Sequence, residues 1–113
     1  NLERWDPSLF DDLVRARGLG RCVDIGHLWL TDAAAAPAYL GTHLAGAAVL
    51  HLHGVAERDH VSLAYAPADD LRAISALLSG FRYPGVVTLE VFSEADFLGS
   101  LRVLERCFRA GEP

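Results

Sequence analysis

The sequence predicts an α/β fold, a parallel sheet covered by helices, and three observations carry that expectation. Segments with helical periodicity alternate with short apolar runs in the order α-β-α-β-α-β-α. The runs are apolar at successive positions, as in strands buried on both faces. Glycine and proline punctuate the joints between segments. Sandwiches, bundles and coiled coils fit this alternation poorly.

Residues 7–17 place Leu9, Phe10, Leu13 and Val14 on one helical face, and Gly18 and Gly20 stop the helix. Residues 21–25 form a short apolar strand. A helix with weak periodicity is expected over 36–45, and a second strand over 47–53. Pro67 opens a helix carrying Leu71, Ile74, Leu77 and Leu78, with Asp69 and Asp70 at its positive end and Gly80 closing it. Residues 86–92 give the clearest strand. Ser93 with Asp96 three residues on is a capping-box-like start. The last helix carries Phe97, Leu101, Leu104 and Phe108.

Composition narrows the function classes. A chain of 113 residues holds one domain or a piece of one. Apolar residues make up 51% and charged residues 22%, a globular balance. Fifteen acidic against ten basic residues give a charge of −5, which argues against a nucleic-acid partner. No apolar run reaches the roughly 18 residues of a membrane span, and no signal-peptide layout is visible. Two cysteines, Cys22 and Cys107, are too few for a disulfide scaffold, so a cytoplasmic location is expected. The chain begins at Asn1 and contains no methionine, from which a processed or incomplete chain is expected.

Each strand ends in residue types that bind metals. The first runs Cys22-Val-Asp24-Ile-Gly-His27, the second Val49-Leu-His51-Leu-His53, the third Val87-Thr-Leu-Glu90-Val-Phe92. In α/β barrels the carboxyl end of the strands is where active sites are built. Alternation puts Thr88, Glu90 and Phe92 on one face, Val49, His51 and His53 on one face, and Cys22 with Asp24. An acid such as Glu90 in an apolar run is costly to bury unpaired, and a divalent cation would offset that cost. Glu57-Arg58-Asp59-His60 follows the second strand and can reach the same mouth.

Structural readings stand beside these. Asp24 could cap a turn; His51 and His53 could be one core and one surface histidine. Glu90 could pair with Arg82, and Asp59 and His60 could be plain loop residues. What favours a metal is that three consecutive strands repeat the arrangement. Cys22 reads as a buried inert thiol, Cys107 as structural, and His43 has no partner in sequence. Trp5 and Trp29 read as packing or rim residues, with Trp29 placed to line a pocket. Dinucleotide, phosphate-loop and serine-elbow motifs are absent.

At these residues the sequence resembles the xylose-isomerase-like TIM barrels, a superfamily of sugar isomerases and epimerases together with the endonuclease IV group. Asp24-Ile-Gly-His27 looks like the sixth-strand signature, His51-Leu-His53 the seventh, and Thr88-Leu-Glu90-Val-Phe92 the eighth. The resemblance implies that residues 1–113 are the carboxyl-terminal half of a (β/α)8 barrel. The strand-five glutamate and strands one to four would then precede Asn1. More narrowly, His51-Leu-His53-Gly-Val, Asp59-His60-Val-Ser-Leu and Thr88-Leu-Glu90-Val-Phe92-Ser resemble cobamide-remodelling phosphodiesterases. Where the isomerases usually continue with Gly-x-Gly, this chain has Leu63-Ala-Tyr-Ala-Pro-Ala.

The resemblance implies Asp24, His51 and Glu90 as metal ligands in either branch. His27 would hold a second metal in the hydrolases or a substrate oxygen in the isomerases. His60, with Asp59, would complete a multinuclear site in the hydrolases, and His53 is an additional candidate. The expected function is a zinc-, manganese- or cobalt-dependent hydrolase of a phosphoester, the nucleotide loop of a cobamide, with Glu90 and His27 catalytic. The alternatives are a metal-dependent sugar isomerase or epimerase, or a non-catalytic fragment. The expected partners are a small-molecule substrate (cobamide or sugar) and the missing amino-terminal half-barrel or a second copy, with no membrane. The unpaired edge of the last strand predicts association.

Overall fold

The computed structural model describes residues 8–110, so Trp5, Pro7 and the side chain of Leu9 lie outside the described residues. Helix α1 spans Ser8–Arg17. It ends because Gly18 takes a left-handed φ of 61°, which lets Leu19 N donate to Val14 O at 3.0 Å. Strand β1 (Arg21–Asp24) follows, and Asp24 caps helix α2 (Ile25–Asp32). A 3-10 turn (Ala33–Ala35) leads into α3 (Ala36–His43), with Pro37 in its first turn, where a missing N–H costs nothing. Another 3-10 turn (Leu44–Gly46) delivers β2 (Ala47–Leu52). A 3-10 turn at Leu63–Tyr65, α4 (Ala68–Phe81), β3 (Val86–Leu89) and α5 (Glu94–Ala110) complete the order.

The three strands form one parallel sheet in the order β1-β2-β3. Parallel neighbours need long crossovers, and helices supply them: α2 and α3 between β1 and β2, α4 between β2 and β3. The register aligns Cys22 with Val49, Asp24 with His51, and His51 with Thr88. One sheet face therefore carries Cys22, Asp24, Val49, His51 and Thr88, and the other Val23, Leu50, Leu52 and Leu89. The second face is packed: Val23, Leu50 and Leu52 sit in a core with Ile25, Leu28, Leu40, Leu63, Leu71, Ile74 and Leu78.

The sequence predicts two covered faces, and the described residues cover one. Cys22, Val49, His51 and Thr88 are half-buried, because no described layer lies over them. Edge strand β3 keeps Val86 60% and Val87 40% exposed.

Element boundaries differ in several places; α3 ends at His43 and β2 at Leu52, short of the expected 45 and 53. Residue 25 starts α2 instead of ending β1, since the Asp24 side chain accepts from His27 N at 2.9 Å and turns the chain. Helix α2 itself was not foreseen: Ile25, Gly26, Leu28 and Trp29 are all buried, so no polar face marks a period. Helix α4 runs through Gly80 and ends at Arg82, whose φ is 50°. Strand β3 stops at Leu89, although Glu90 N still donates to Leu52 O at 2.9 Å.

Side-chain burial also departs from expectation. Leu13, Phe97, Leu101 and Phe108 are exposed. The inward side of α5 is instead Ser100, fully buried, with Val103, Leu104 and Cys107 against the core. Among the described residues, no helix is long and apolar enough to cross a membrane.

Candidate metal centre

Asp24, His51 and Glu90 meet at the carboxyl end of the sheet, each brought there by one strand. One potential ligand atom from each lies within 4.8 Å of the other two. His51 Nδ1 is 3.1 Å from Glu90 Oε2 and 3.7 Å from Asp24 Oδ2. Glu90 therefore pairs with histidines; Arg82, its expected structural partner, caps α4 instead.

A second group, His27, His53 and His60, meets the same criterion. His27 stands in the first turn of α2, with Nδ1 3.1 Å from Asp24 Oδ2. His53 lies just past β2 and is fully buried. His60 closes the following loop, which the Gly54–Val61 bridge pinches shut through Gly54 N→Val61 O at 2.7 Å and Val61 N→Gly54 O at 3.3 Å. Any Cβ at residue 54 would meet Ser62 O at 2.0 Å, so this closure requires glycine.

The loop is also tied to α5. Ser62 N donates to Asp96 Oδ1 at 2.9 Å and Leu63 N to Ser100 Oγ at 3.0 Å. The expected pairing of Ser93 with Asp96 forms, with Asp96 N donating to Ser93 Oγ at 3.1 Å.

Glu90 joins the two groups. Its Oε2 faces His51 Nδ1 and also lies 3.3 Å from His60 Nε2. Asp59 sits at the rim, with Oδ1 3.0 Å from His60 Nδ1 and Oδ2 3.9 Å from His27 Nε2. The rings are layered: His60 stacks on His53 at 4.1 Å and on Phe92 at 5.0 Å, and His27 stands edge-on to both histidines. Phe92 is otherwise 76% exposed, forming an aromatic lip.

The electrostatics fit a site that gathers cations. Burial pushes the Asp24 carboxyl up. The His53 contact, the His27 backbone N–H and the charges of both rings outweigh that and bring it down to about 2. Burial pushes His53 down, but Asp24, the Gly54 carbonyl and Glu90 together raise it above its ordinary value. The His60 contact lowers Asp59. Three buried polar atoms here lack a hydrogen-bond partner: His51 Nδ1, His53 Nε2 and Glu90 Oε2. Buried polar atoms are normally satisfied, so their convergence fits a bound cation, and imidazole with carboxylate suits zinc, manganese or cobalt.

All seven residues expected to bind metal thus come together. His43 does not join them; its ring packs on Tyr39 at 4.4 Å, and burial and Arg21 lower its pKa. Cys22 lies one pleat below Asp24, half-buried. Trp29 is a packing residue whose Nε1 donates to Asp70 Oδ2 at 3.0 Å. Sequence reasoning missed Gly26: a Cβ there would fall 2.2 Å from His53 Cε1 and Nε2, so this glycine is the floor under the ring. It also missed the left-handed backbone of His60, with φ of 58°. No protein-family model, curated protein or solved structure matches this chain.

Proposed function

We propose that the chain is the carboxyl-terminal half of a (β/α)8 barrel and forms much of the active site of a metal-dependent phosphoester hydrolase. The observation that carries this reading is the pair of adjacent donor groups with Glu90 Oε2 between them. A single cation needs no more than one such group; hydrolases that cleave phosphoesters commonly use two or more ions. The half-exposed sheet face bearing Asp24, His51 and Thr88 supports the barrel, since it is the face that would turn inward.

In this reading Asp24, His51 and Glu90 hold one divalent ion, and His27 and His60 hold another with Asp59 beside them. Such ions, when bound, polarise a phosphoryl oxygen and acidify water at neutral pH. Glu90, facing both groups, orients the attacking water and accepts its proton. His27 positions an oxygen of the phosphoester. The resemblance in residues 51–55, 59–63 and 88–93 points to the nucleotide loop of a cobamide as substrate, and the exposed Phe92 lip offers a face for a planar base.

The test is metal analysis and turnover of the full-length product carrying this chain. Zinc, manganese or cobalt should co-purify, a phosphodiester should be cleaved, and Glu90→Gln should slow cleavage on the order of 10²–10⁴-fold. Ketose epimerisation that survives His60→Ala would replace this reading with an isomerase. A full-length protein that binds no metal would leave a barrel without catalysis.

A further inference from the structure

Between the turn Leu63–Tyr65, helix α4 and helix α5 lies a cavity of about 390 Å3, within the range of roughly 300–1,000 Å3 typical of small-molecule sites. None of the seven residues of the metal centre lines it. The gap follows from side-chain size. Ala66 follows the turn, Ala68 opens α4 and Ala110 ends α5, and all three face the same space. Leu63, Leu71 and Val103 give it an apolar wall.

Two cations border this wall, Arg72 from α4 and Arg106 from α5, and they are not equivalent. Arg72 pairs with Asp69, one turn earlier on its own helix. Arg106 Nε donates to Arg102 O at 3.2 Å, and no acidic side chain among the described residues pairs with its guanidinium. With Nε committed, the open edge is the pair of Nη groups, two parallel donors that match the two oxygens of a carboxylate. Arg102 and Arg109 lie one turn to either side on the same flank of α5, also without an acidic partner among the described residues. That flank is therefore basic in a chain whose net charge is −5.

We propose that this cavity binds a small carboxylate amphiphile of the medium-chain fatty-acid class, with Arg106 holding the carboxylate and the wall of Leu63, Leu71 and Val103 holding the alkyl chain. Both parts of such a ligand gain on entry. The chain leaves water, and the charged pair forms beside apolar surface, where it is screened less than in bulk solvent. A second cavity of about 520 Å3 shares Arg72, Cys107 and Ala110 with the first and gives a longer chain room between the two helices. A neutral alcohol of the same length forgoes the charged pair, and an alkylammonium is repelled by both arginines.

Decanoate is titrated by calorimetry into the full-length product carrying this chain. EDTA is present, so the outcome does not depend on the metal centre. The expected result is one decanoate per chain, with decanol and decylammonium at least about 10-fold weaker. Arg106→Gln is expected to weaken decanoate about 10–100-fold. Ala68→Phe, at an exposed position, fills the cavity and is expected to abolish binding with an unchanged thermal melt. Arg102→Gln, on the same flank but outside the lining, is expected to leave the affinity as it was. Decanol binding as tightly as decanoate, or full affinity in Ala68→Phe, overturns the proposal by placing the ligand on other apolar surface. An equal loss in Arg102→Gln overturns it by assigning the effect to the basic flank as a whole. Polyglutamate binding where decanoate does not would make that flank a docking surface for acidic chains.

Discussion

Asp24 and His53 form a buried pair whose protonation couples to folding in opposite directions. Asp24 sits at about 2, below its unfolded value of roughly 3.9. Its contribution is complete above pH ~4 and disappears as pH falls towards 2. His53 is raised above roughly 6.5, so its contribution is complete below that value and fades as pH rises through the folded value. In EDTA the chain is therefore expected to be most stable between pH ~4 and ~6.5. Urea melts at pH 3, 5.5 and 8.5 check this, and His53→Gln is expected to flatten the alkaline side. Gly26→Ala pushes a methyl into the His53 ring and is expected to cost about 1–3 kcal/mol, with weaker metal binding, by thermal melts and metal titration. The ligand types were legible because Asp24, His51 and Glu90 stand out against apolar strands. Gly26 was not, because what it accommodates is a ring 27 positions away in sequence.

Helix α5 is fastened to the site loop by Asp96 and by one small buried residue, Ser100. Ser100 is fully buried, accepts from Leu63 N at 3.0 Å and donates to Asp96 O at 2.7 Å. Ser100→Ala leaves the Leu63 N–H without a partner, and about 1–3 kcal/mol of destabilisation is expected by urea unfolding. Faster amide exchange in the loop carrying Asp59 and His60 is the accompanying sign, and unchanged exchange there would contradict the anchoring role. The strands and the α1, α4 and α5 helices were legible from periodicity and capping. The facing of α5 was not. Phe97, Leu101 and Phe108 trace the stronger apolar stripe, yet Ser100 and Cys107 lie on the side that meets the described core. Periodicity locates a stripe without saying which neighbour covers it.

At the scale of the molecule, β1 and β3 are the edges of the described sheet, and one sheet face has no cover among the described residues. Val86 and Val87 on edge strand β3, Phe92 just beyond it, and Phe97, Leu98 and Leu101 on α5 are exposed apolar side chains. The chain alone is expected to self-associate at micromolar concentration, measured by sedimentation velocity. A single monomeric species would contradict this. The parallel order was legible from alternation alone. The face that the described residues leave uncovered was not, because apolar strands look the same whichever segment supplies their second cover.

Trp29 turns the packing of α2 into an optical signal. Its indole is 7% exposed, hydrogen-bonded to Asp70 at the start of α4, and two residues beyond His27 on the same helix. With Trp5→Phe it becomes the sole indole in the chain. Any tilt of α2 as His27 engages an ion would then change the emission colour of one buried fluorophore, so occupancy of that half of the centre can be followed in a cuvette without a label.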